Sequence, residues 1–362
     1  MKEIIDVTIL TDALNGHGGE ETVLGLFCKY LNSSFKFNVL IPFYGGSDEW
    51  ISKLRKYASV FCNENTSKLS KYIFLIKVLL NCNSDVLICM TPRLTYLASK
   101  IKKFFHKKYK IISWQHFSIY RPTDSSSLDE KKKWYGSADY YFAISSGIKT
   151  ELISLGIDSK KIYTVFNPVI PSNKYFIETQ DEKIHFLCIS RIQFNQQKNL
   201  KELFDACANL DGNWVLDIYG NDDTADKSEI KKCQNYAKKL NISDKIIWHG
   251  WVKDIWSEDI HPSCLVMTSN FEGFPMSLCE AASNGVPLIS SDCPTGPSDI
   301  VNSNNGFLYT MHNIDELTRL MQRFINRDAL FDRDRVKQSI SKYYVSNYTK
   351  TIQRLINDII SM

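Results

Sequence analysis

The chain has 362 residues, 44% of them hydrophobic, with 44 Lys and Arg against 40 Asp and Glu. That length suits two domains with full cores, and the composition excludes both an integral membrane protein and a disordered chain. Ten cysteines are scattered without a Cys-x-x-Cys pair, which reads as reduced thiols in a cytoplasmic protein rather than a disulfide or zinc framework.

The opening stretch Met1-Lys-Glu-Ile-Ile-Asp-Val-Thr-Ile-Leu10 carries acids within its apolar run, so it predicts a strand over 7–10 and not a signal peptide. A glycine-rich turn with Gly16, Gly18 and Gly19 follows, then a helical pattern through Val23, Leu24, Leu26, Phe27 and Tyr30. Such a turn between strand and helix is a phosphate-binding geometry, although the third glycine of the dinucleotide fingerprint is missing. Further strands are expected at 37–41 and 86–90, and over 111–118 as a strand running out into a loop. The last of these leads into His116, at the strand end where parallel sheets place ligands.

Up to Pro168 the chain holds 23 Lys and Arg against 15 Asp and Glu, a net of +8, and the remainder nets −4. The excess concentrates in 100–110, where Phe104, Phe105 and Tyr109 interleave with lysines. This run reads in two ways: as a solvated helix end, or as a patch resting on an anionic bilayer surface. No nucleic-acid module accompanies it. A strand and helix over 138–156, a short strand at 162–166 and a polar linker at 167–180 complete the first half.

The alternation then restarts. Strands are expected at 184–189, 214–219, 246–248 and 264–268, with helices at 200–210 and 228–240 between them, and 287–299 reads as one more strand and a Pro/Gly-rich turn next to the Glu272 loop. Strands alternating with helices in both halves predict two doubly wound parallel sheets. The tail beyond Asp315 reads as helical to the end. Asp222, Asp223 and Asp226, and the letter-match Asp332-Arg-Asp334, read as solvated faces. No metal-ligand spacing appears, so no metal is expected.

Asn270-Phe-Glu272-Gly273-Phe274-Pro275-Met-Ser-Leu-Cys-Glu280 is the stretch around which the second half is organised. Its two carboxylates are separated by seven residues. Pro275 suits a first helical position, Gly285 suits a helix C-terminus, and Glu272 falls in the loop before the helix. An anion at that helix N-terminus would meet free backbone N–H groups. Arg191 and Lys198 flank a polar loop directly after a strand, a forked donor and a point charge suited to a diphosphate. Trp251 either stacks on a base or plugs the core, and the core reading is the commoner one for a single Trp.

Glu-Gly-Phe-Pro with a second Glu eight residues on resembles the Glu-x7-Glu motif of the retaining nucleotide-sugar glycosyltransferases of family 4. The likeness covers most of the chain. Within that family the pieces Gly18-Gly-Glu-Glu-Thr22, Ser113-Trp-Gln-His-Phe-Ser118, Ala143-Ile-Ser-Ser-Gly-Ile-Lys149 and Phe166-Asn-Pro-Val169 are similar to the lipopolysaccharide 1,6-galactosyltransferase group. The resemblance implies two Rossmann-like domains facing a cleft, the GT-B architecture. It implies an N-terminal acceptor-side domain at 1–168, a nucleotide-sugar domain at 169–340, and a last segment at 341–362 crossing back to the first.

By the same resemblance Gly18 and Gly19 close over the donor diphosphate, with Glu21 as the acid of that loop, and His116 lies beside the reacting sugar. Arg191 and Lys198 hold the diphosphate, with six residues between them where the family usually has five. Glu272, with the backbone of Gly273, Phe274 and Pro275, touches the donor sugar, Glu280 binds the ribose, and the segment of Trp251 holds the base. The implied reaction is α-transfer of a hexose, galactose from UDP-galactose, to a lipopolysaccharide core on the cytoplasmic side of the inner membrane, without a cofactor. UDP-glucose or a UDP-N-acetylhexosamine with another glycan acceptor stays open, as does a silent nucleotide-sugar binder. An epimerase on the same fold fits the Glu-Gly-Phe-Pro stretch poorly.

Overall fold

The computed structural model describes residues 4–11, 19–43, 48–65, 67–122, 124–174 and 183–362. Gly18 and positions 175–180 of the expected linker lie outside them. The chain divides into two compact units, one of 1–168 with 345–362 and one of 169–344.

The first unit runs β1 (Ile5–Leu10), α1 (Gly19–Leu31), β2 (Phe35–Ile41), α2 (Asp48–Leu54), β3 (Ser59–Cys62), α3 (Lys68–Leu80), β4 (Val86–Cys89) and α4 (Pro92–Phe104). It continues with β5 (Lys110–Gln115), α5 (Leu128–Tyr135), β6 (Tyr140–Ala143), α6 (Ser146–Ser154) and β7 (Ile162–Thr164). The strands form a parallel sheet in the order β3-β2-β1-β4-β5-β6-β7. β4 is buried at every position, as a strand covered on both faces must be. Helix starts are set by side-chain caps: Thr91 ahead of Pro92 in α4, and Ser127 with Glu130 in a reciprocal capping box on α5.

The second unit runs β8 (Ile184–Ile189), α7 (Leu200–Cys207), β9 (Trp214–Tyr219), α8 (Ser228–Lys239), β10 (Ile246–Gly250), β11 (Cys264–Met267), α9 (Met276–Ser283) and β12 (Leu288–Ser291). It closes with α10 (Pro297–Ile300), β13 (Gly306–Tyr309), α11 (Ile314–Ile325) and α12 (Arg333–Ser339). Its parallel sheet has the order β10-β9-β8-β11-β12-β13. Phe186, Leu216, Ile218, Phe204 and Met321 build the core on one face. The last helix, α13 (Val345–Ser361), belongs to the first unit: its Tyr348 ring meets Phe27 of α1 at 6.4 Å, and Gln353 donates to Ser34.

Several expectations change. Two strands were not anticipated: β3, only four residues long, and β13, too short for its pattern to stand out. The tail is three helices rather than one pattern, because α11, α12 and α13 are separated by turns near 328–332 and 340–344. The second unit reaches Tyr344, since Tyr343 is buried and its ring packs on Phe274 at 5.2 Å. The linker region begins buried: Asn167 and Val169 are under 5% exposed, and the Val169 N–H donates to the Tyr343 carbonyl at 2.9 Å. Asp222 is no solvated residue. It is 2% exposed and accepts from the Thr224 N–H in the preceding loop and from the Ile230 N–H in the first turn of α8. Tyr109 lies 2% exposed in a core cluster with Leu79 and Ile101, so it takes no part in the surface of the lysine-rich run. All ten cysteines are free thiols.

Candidate active site

Four loops at the C-terminal ends of the second sheet converge, as the switch point of a doubly wound sheet predicts. Between β8 and β11 the strand order reverses, and here lie the 190–199 loop and the 268–275 loop. Gly220, at the end of β9, lets the first of these pass: a Cβ there would sit 1.7 Å from the Ser190 carbonyl oxygen. The 190–199 loop is then tied on both sides. Its Ile192 N–H donates to the Asn221 carbonyl, and the Phe194 N–H donates to the Glu229 carboxylate at 2.8 Å.

Lys198 and Glu272 meet across these loops. Nζ lies 2.6 Å from Oε1, with the two side chains 16% and 8% exposed. Arg191 donates through Nη2 to the Gln197 Oε1 at 2.7 Å, and Gln197 Nε2 donates to the Phe271 carbonyl at 3.1 Å. One amide therefore orients the guanidinium and ties its loop to the Glu loop. Asn199, in the left-handed conformation at φ 47°, adds a second tie by donating to Glu202 at 2.7 Å and to Asn270 at 3.3 Å. Thr268 closes the seam by donating to the carbonyls of Lys198 and Asn199.

The Glu272 backbone is held from a third side. The Thr295 hydroxyl donates to the Glu272 carbonyl, and Gly296, at φ 98°, lies against the Gly273–Pro275 backbone. A Cβ at Gly296 would approach Pro275 Cδ to 2.7 Å and the Gly273 oxygen to 3.0 Å. Pro275 is the cap residue of α9 and not its first helical residue, because its ψ of 100° is extended. No side chain caps α9, so its first N–H groups face the loop that carries Glu272. The Phe274 ring is a core group packed on Tyr343, which leaves its backbone as the part available to a ligand.

Glu280 has a different setting. It sits in α9 about one turn from the helix start, beside Trp256 and Asp254. Desolvation raises its carboxyl to about 7, with the Asp254 charge adding to the rise and a hydrogen bond from Trp256 opposing it. Trp251 is 55% exposed, which overturns the reading of it as a core plug. Its neighbour His249 is turned to the sheet, where Asp217 accepts from His249 Nε2 at 2.7 Å and from His185 Nδ1 at 3.0 Å. Burial alone would raise the Asp217 carboxyl, but those two bonds and the imidazole charges outweigh it and hold it below its ordinary value.

In the first unit, Gly19 opens α1 and is exposed. His116 follows β5, is 5% exposed, and has an unpartnered Nε2. Burial lowers its pKa to about 3, so the imidazole is neutral at physiological pH. Among the described residues no group of three or more His, Cys, Asp or Glu is arranged to hold a metal ion.

A model of the group 1 glycosyl transferases matches residues 171–342, which contain Arg191, Lys198, Glu272 and Glu280. The chain is 35% identical to the lipopolysaccharide 1,6-galactosyltransferase of Salmonella typhimurium, over 97% of this chain and 98% of that one. It is 33% identical to the Escherichia coli enzyme of the same name, over 98% and 99%. The chain belongs to the group 1 glycosyltransferases. The apo structure of the lipopolysaccharide outer core galactosyltransferase WaaB superposes with a TM-score of 0.83 at 30% identity, covering 98% of this chain and 99% of that one. The Anabaena protein HepE in complex with UDP, at 17% identity and a TM-score of 0.81 over 97% and 100%, shares the fold. The architecture is GT-B, two parallel-sheet α/β domains.

For this group 1 glycosyltransferase, the second unit brings Arg191, Lys198, Glu272, Gly273, Phe274 and Pro275 into one cluster. Sequence reading missed Gln197, and it took the turn of Thr295 and Gly296 for a contact to donor sugar or acceptor where the structure shows it bracing the Glu272 loop. The Gln196-Gln197 doublet and the Pro/Gly turn at 294–297 were visible. Nothing in the spacing of the doublet states what Gln197 would touch.

Proposed function

We propose that the protein transfers galactose from UDP-galactose to a lipopolysaccharide core on the cytoplasmic side of the inner membrane, with retention at the anomeric carbon. The observation that carries this reading is the Lys198–Glu272 pair at 2.6 Å beside the Arg191–Gln197 contact, in a chain 35% identical to a named lipopolysaccharide galactosyltransferase.

In this reading Arg191, Lys198 and the uncapped start of α9 take the charge that grows on UDP as the C1–O bond breaks. Preorganised charge of this kind is usually the largest single catalytic contribution. The Gly273 and Phe274 backbone and Glu272 hold the sugar hydroxyls, and Glu280 holds the ribose. Trp251 meets the base. The acceptor hydroxyl attacks C1 from the face that UDP leaves, and its proton passes to the departing phosphate oxygen. Cationic side chains and backbone N–H groups then neutralise the diphosphate, and no metal is called for.

The test is UDP release with a panel of UDP-hexoses, each with and without truncated core lipopolysaccharide, and with EDTA added to the best pair. The reading expects release with UDP-galactose plus acceptor, unaffected by EDTA, and an α-linked product. Preference for UDP-glucose or a UDP-N-acetylhexosamine moves the donor. No release with any pair sends the chain to the silent binders.

A further inference from the structure

Burying a carboxylate is unfavourable unless donors replace the water it loses. Glu202, in the first turn of α7, is 5% exposed, and three side chains from different segments surround it. Asn199 Nδ2 donates to Oε2 at 2.7 Å. The Tyr309 hydroxyl, at the end of β13, donates to Oε1 at 2.8 Å, and His312 Nδ1 lies 3.0 Å from Oε2. Burial, and next the Glu202 charge, push the Tyr309 phenol well above its ordinary value, so it stays protonated and keeps donating.

Asn199 is where this cluster reaches the site. The residue stands between Lys198 and α7 at φ 47° and ψ 50°, a left-handed conformation that residues other than glycine seldom take. It is also the cap residue of α7, and an Asn there ordinarily accepts from the first N–H groups of the helix. Its side chain makes no such bond. The amide is turned instead to Glu202, and to Asn270 Oδ1 at 3.3 Å on the loop that carries Glu272. Two local preferences are given up at one residue, and the bond to the buried carboxylate is what replaces them. Lys198 leaves the backbone directly ahead of this turn, and its Nζ reaches Glu272 at 2.6 Å.

We propose that Glu202 is a positioning residue for Lys198. Through Asn199 its carboxylate fixes the left-handed turn from which the ammonium is aimed at Glu272, while Tyr309 and His312 supply the other contacts that keep the carboxylate buried. A lysine stem is flexible, so its ammonium is directed only as well as its backbone is held. Gln193 and Thr268 hold that backbone through the Lys198 N–H and the Lys198 and Asn199 carbonyls. Glu202 adds the tie from α7, a regular helix, which is a firmer support than another loop. The geometric role stands on these contacts alone, and its consequence for UDP rests on the assignment of Lys198 to the diphosphate.

The experiment reads Lys198 itself. The full chain is acetylated with limiting acetic anhydride, and peptide mass spectrometry compares Lys198 with the exposed Lys103 as internal reference. In the parent chain the ion pair and its burial should keep Lys198 slow. Asn199→Gly retains a backbone suited to the left-handed turn and removes the amide, and Glu202→Gln retains the shape while turning an NH2 group onto the donors. Each should raise Lys198 acetylation severalfold with Lys103 unchanged, and lower calorimetric UDP affinity about tenfold, the loss expected for one charge-assisted contact. Tyr309→Phe removes a donor to Glu202 without altering Asn199, so it should lower Tm and leave Lys198 acetylation at the parent rate. Unchanged Lys198 acetylation in folded Asn199→Gly or Glu202→Gln overturns the proposal. So does a rise in Tyr309→Phe as large as theirs, which marks general loosening. A rise confined to the first two variants, in a chain whose parent form does not bind UDP, upholds the positioning role and overturns the diphosphate assignment instead.

Discussion

Glu272 and Glu280 are eight residues apart, yet their surroundings differ. Glu272 lies in a loop fixed from three sides and faces Lys198 at 2.6 Å. Glu280 lies in a regular helix and faces an indole and another acid, and desolvation brings its carboxyl to about 7. One region is an ion pair between two largely buried side chains. The other is a carboxylate held at a cost until donors arrive. Equal residues take unequal surroundings: Glu272 faces a cation at 2.6 Å, and Glu280 sits beside Trp256 and Asp254.

The largest expected effect comes from breaking the paired region. Lys198→Ala should lower kcat by roughly 10²–10³-fold, the loss typical of removing one preorganised donor from a developing anion. Glu272→Ala should also abolish most turnover but leave UDP affinity intact or tighter, because Lys198 loses its competing carboxylate. Steady-state kinetics with calorimetric UDP titration separates the two. If Glu272→Ala keeps near-full turnover, the contrast between the two carboxylates collapses.

Glu280 gives an effect that depends on pH. The ribose hydroxyls donate best to the ionised form, so UDP affinity should fall as pH drops through about 7. Glu280→Gln should flatten that dependence. Stability moves the opposite way. The folded carboxyl titrates near 7 against an ordinary value of 4.5, so the folded chain binds more protons across that window and loses stability as pH rises through it. Above neutrality, Glu280→Gln should therefore raise Tm while weakening UDP. A parallel loss of both would place Glu280 among structural residues.

Gly296→Ala tests the scaffold behind Glu272 and carries the smallest effect. At φ 98°, and with Pro275 Cδ 2.7 Å from an added Cβ, the substitution should cost about 1–3 kcal/mol and lower Tm by several degrees. It should raise the donor KM more than it lowers kcat. Thermal unfolding and donor saturation curves measure both.

Much of this was legible in the chain itself. β8 and β9 fall on the predicted residues 184–189 and 214–219, because mostly apolar runs, each broken by one polar residue and bounded by polar loops, leave little choice of element. The Glu-x7-Glu stretch, the Arg191 and Lys198 positions and the helix stop at Gly285 were equally plain. α9 ends there as foreseen, with the Val286 and Gly285 N–H groups donating to the Ala281 and Ala282 carbonyls. Local periodicity and turn chemistry are properties of neighbouring residues, so sequence states them directly.

Tertiary structure alone decided who meets whom. Lys198 and Glu272 are 74 positions apart, and their pairing exists only because β8 and β11 lie side by side in the second sheet. Exposure was equally out of reach of the sequence: Trp251 reads as core and is open, and Tyr109 reads as surface and is buried. Leu69, Tyr72, Ile73 and Ile76 of α3 have the spacing of a core face, and only the position of α4 shows that the core uses Leu75 and Leu79 instead. Burial is decided by what packs against a residue, and packing joins segments that the sequence keeps far apart.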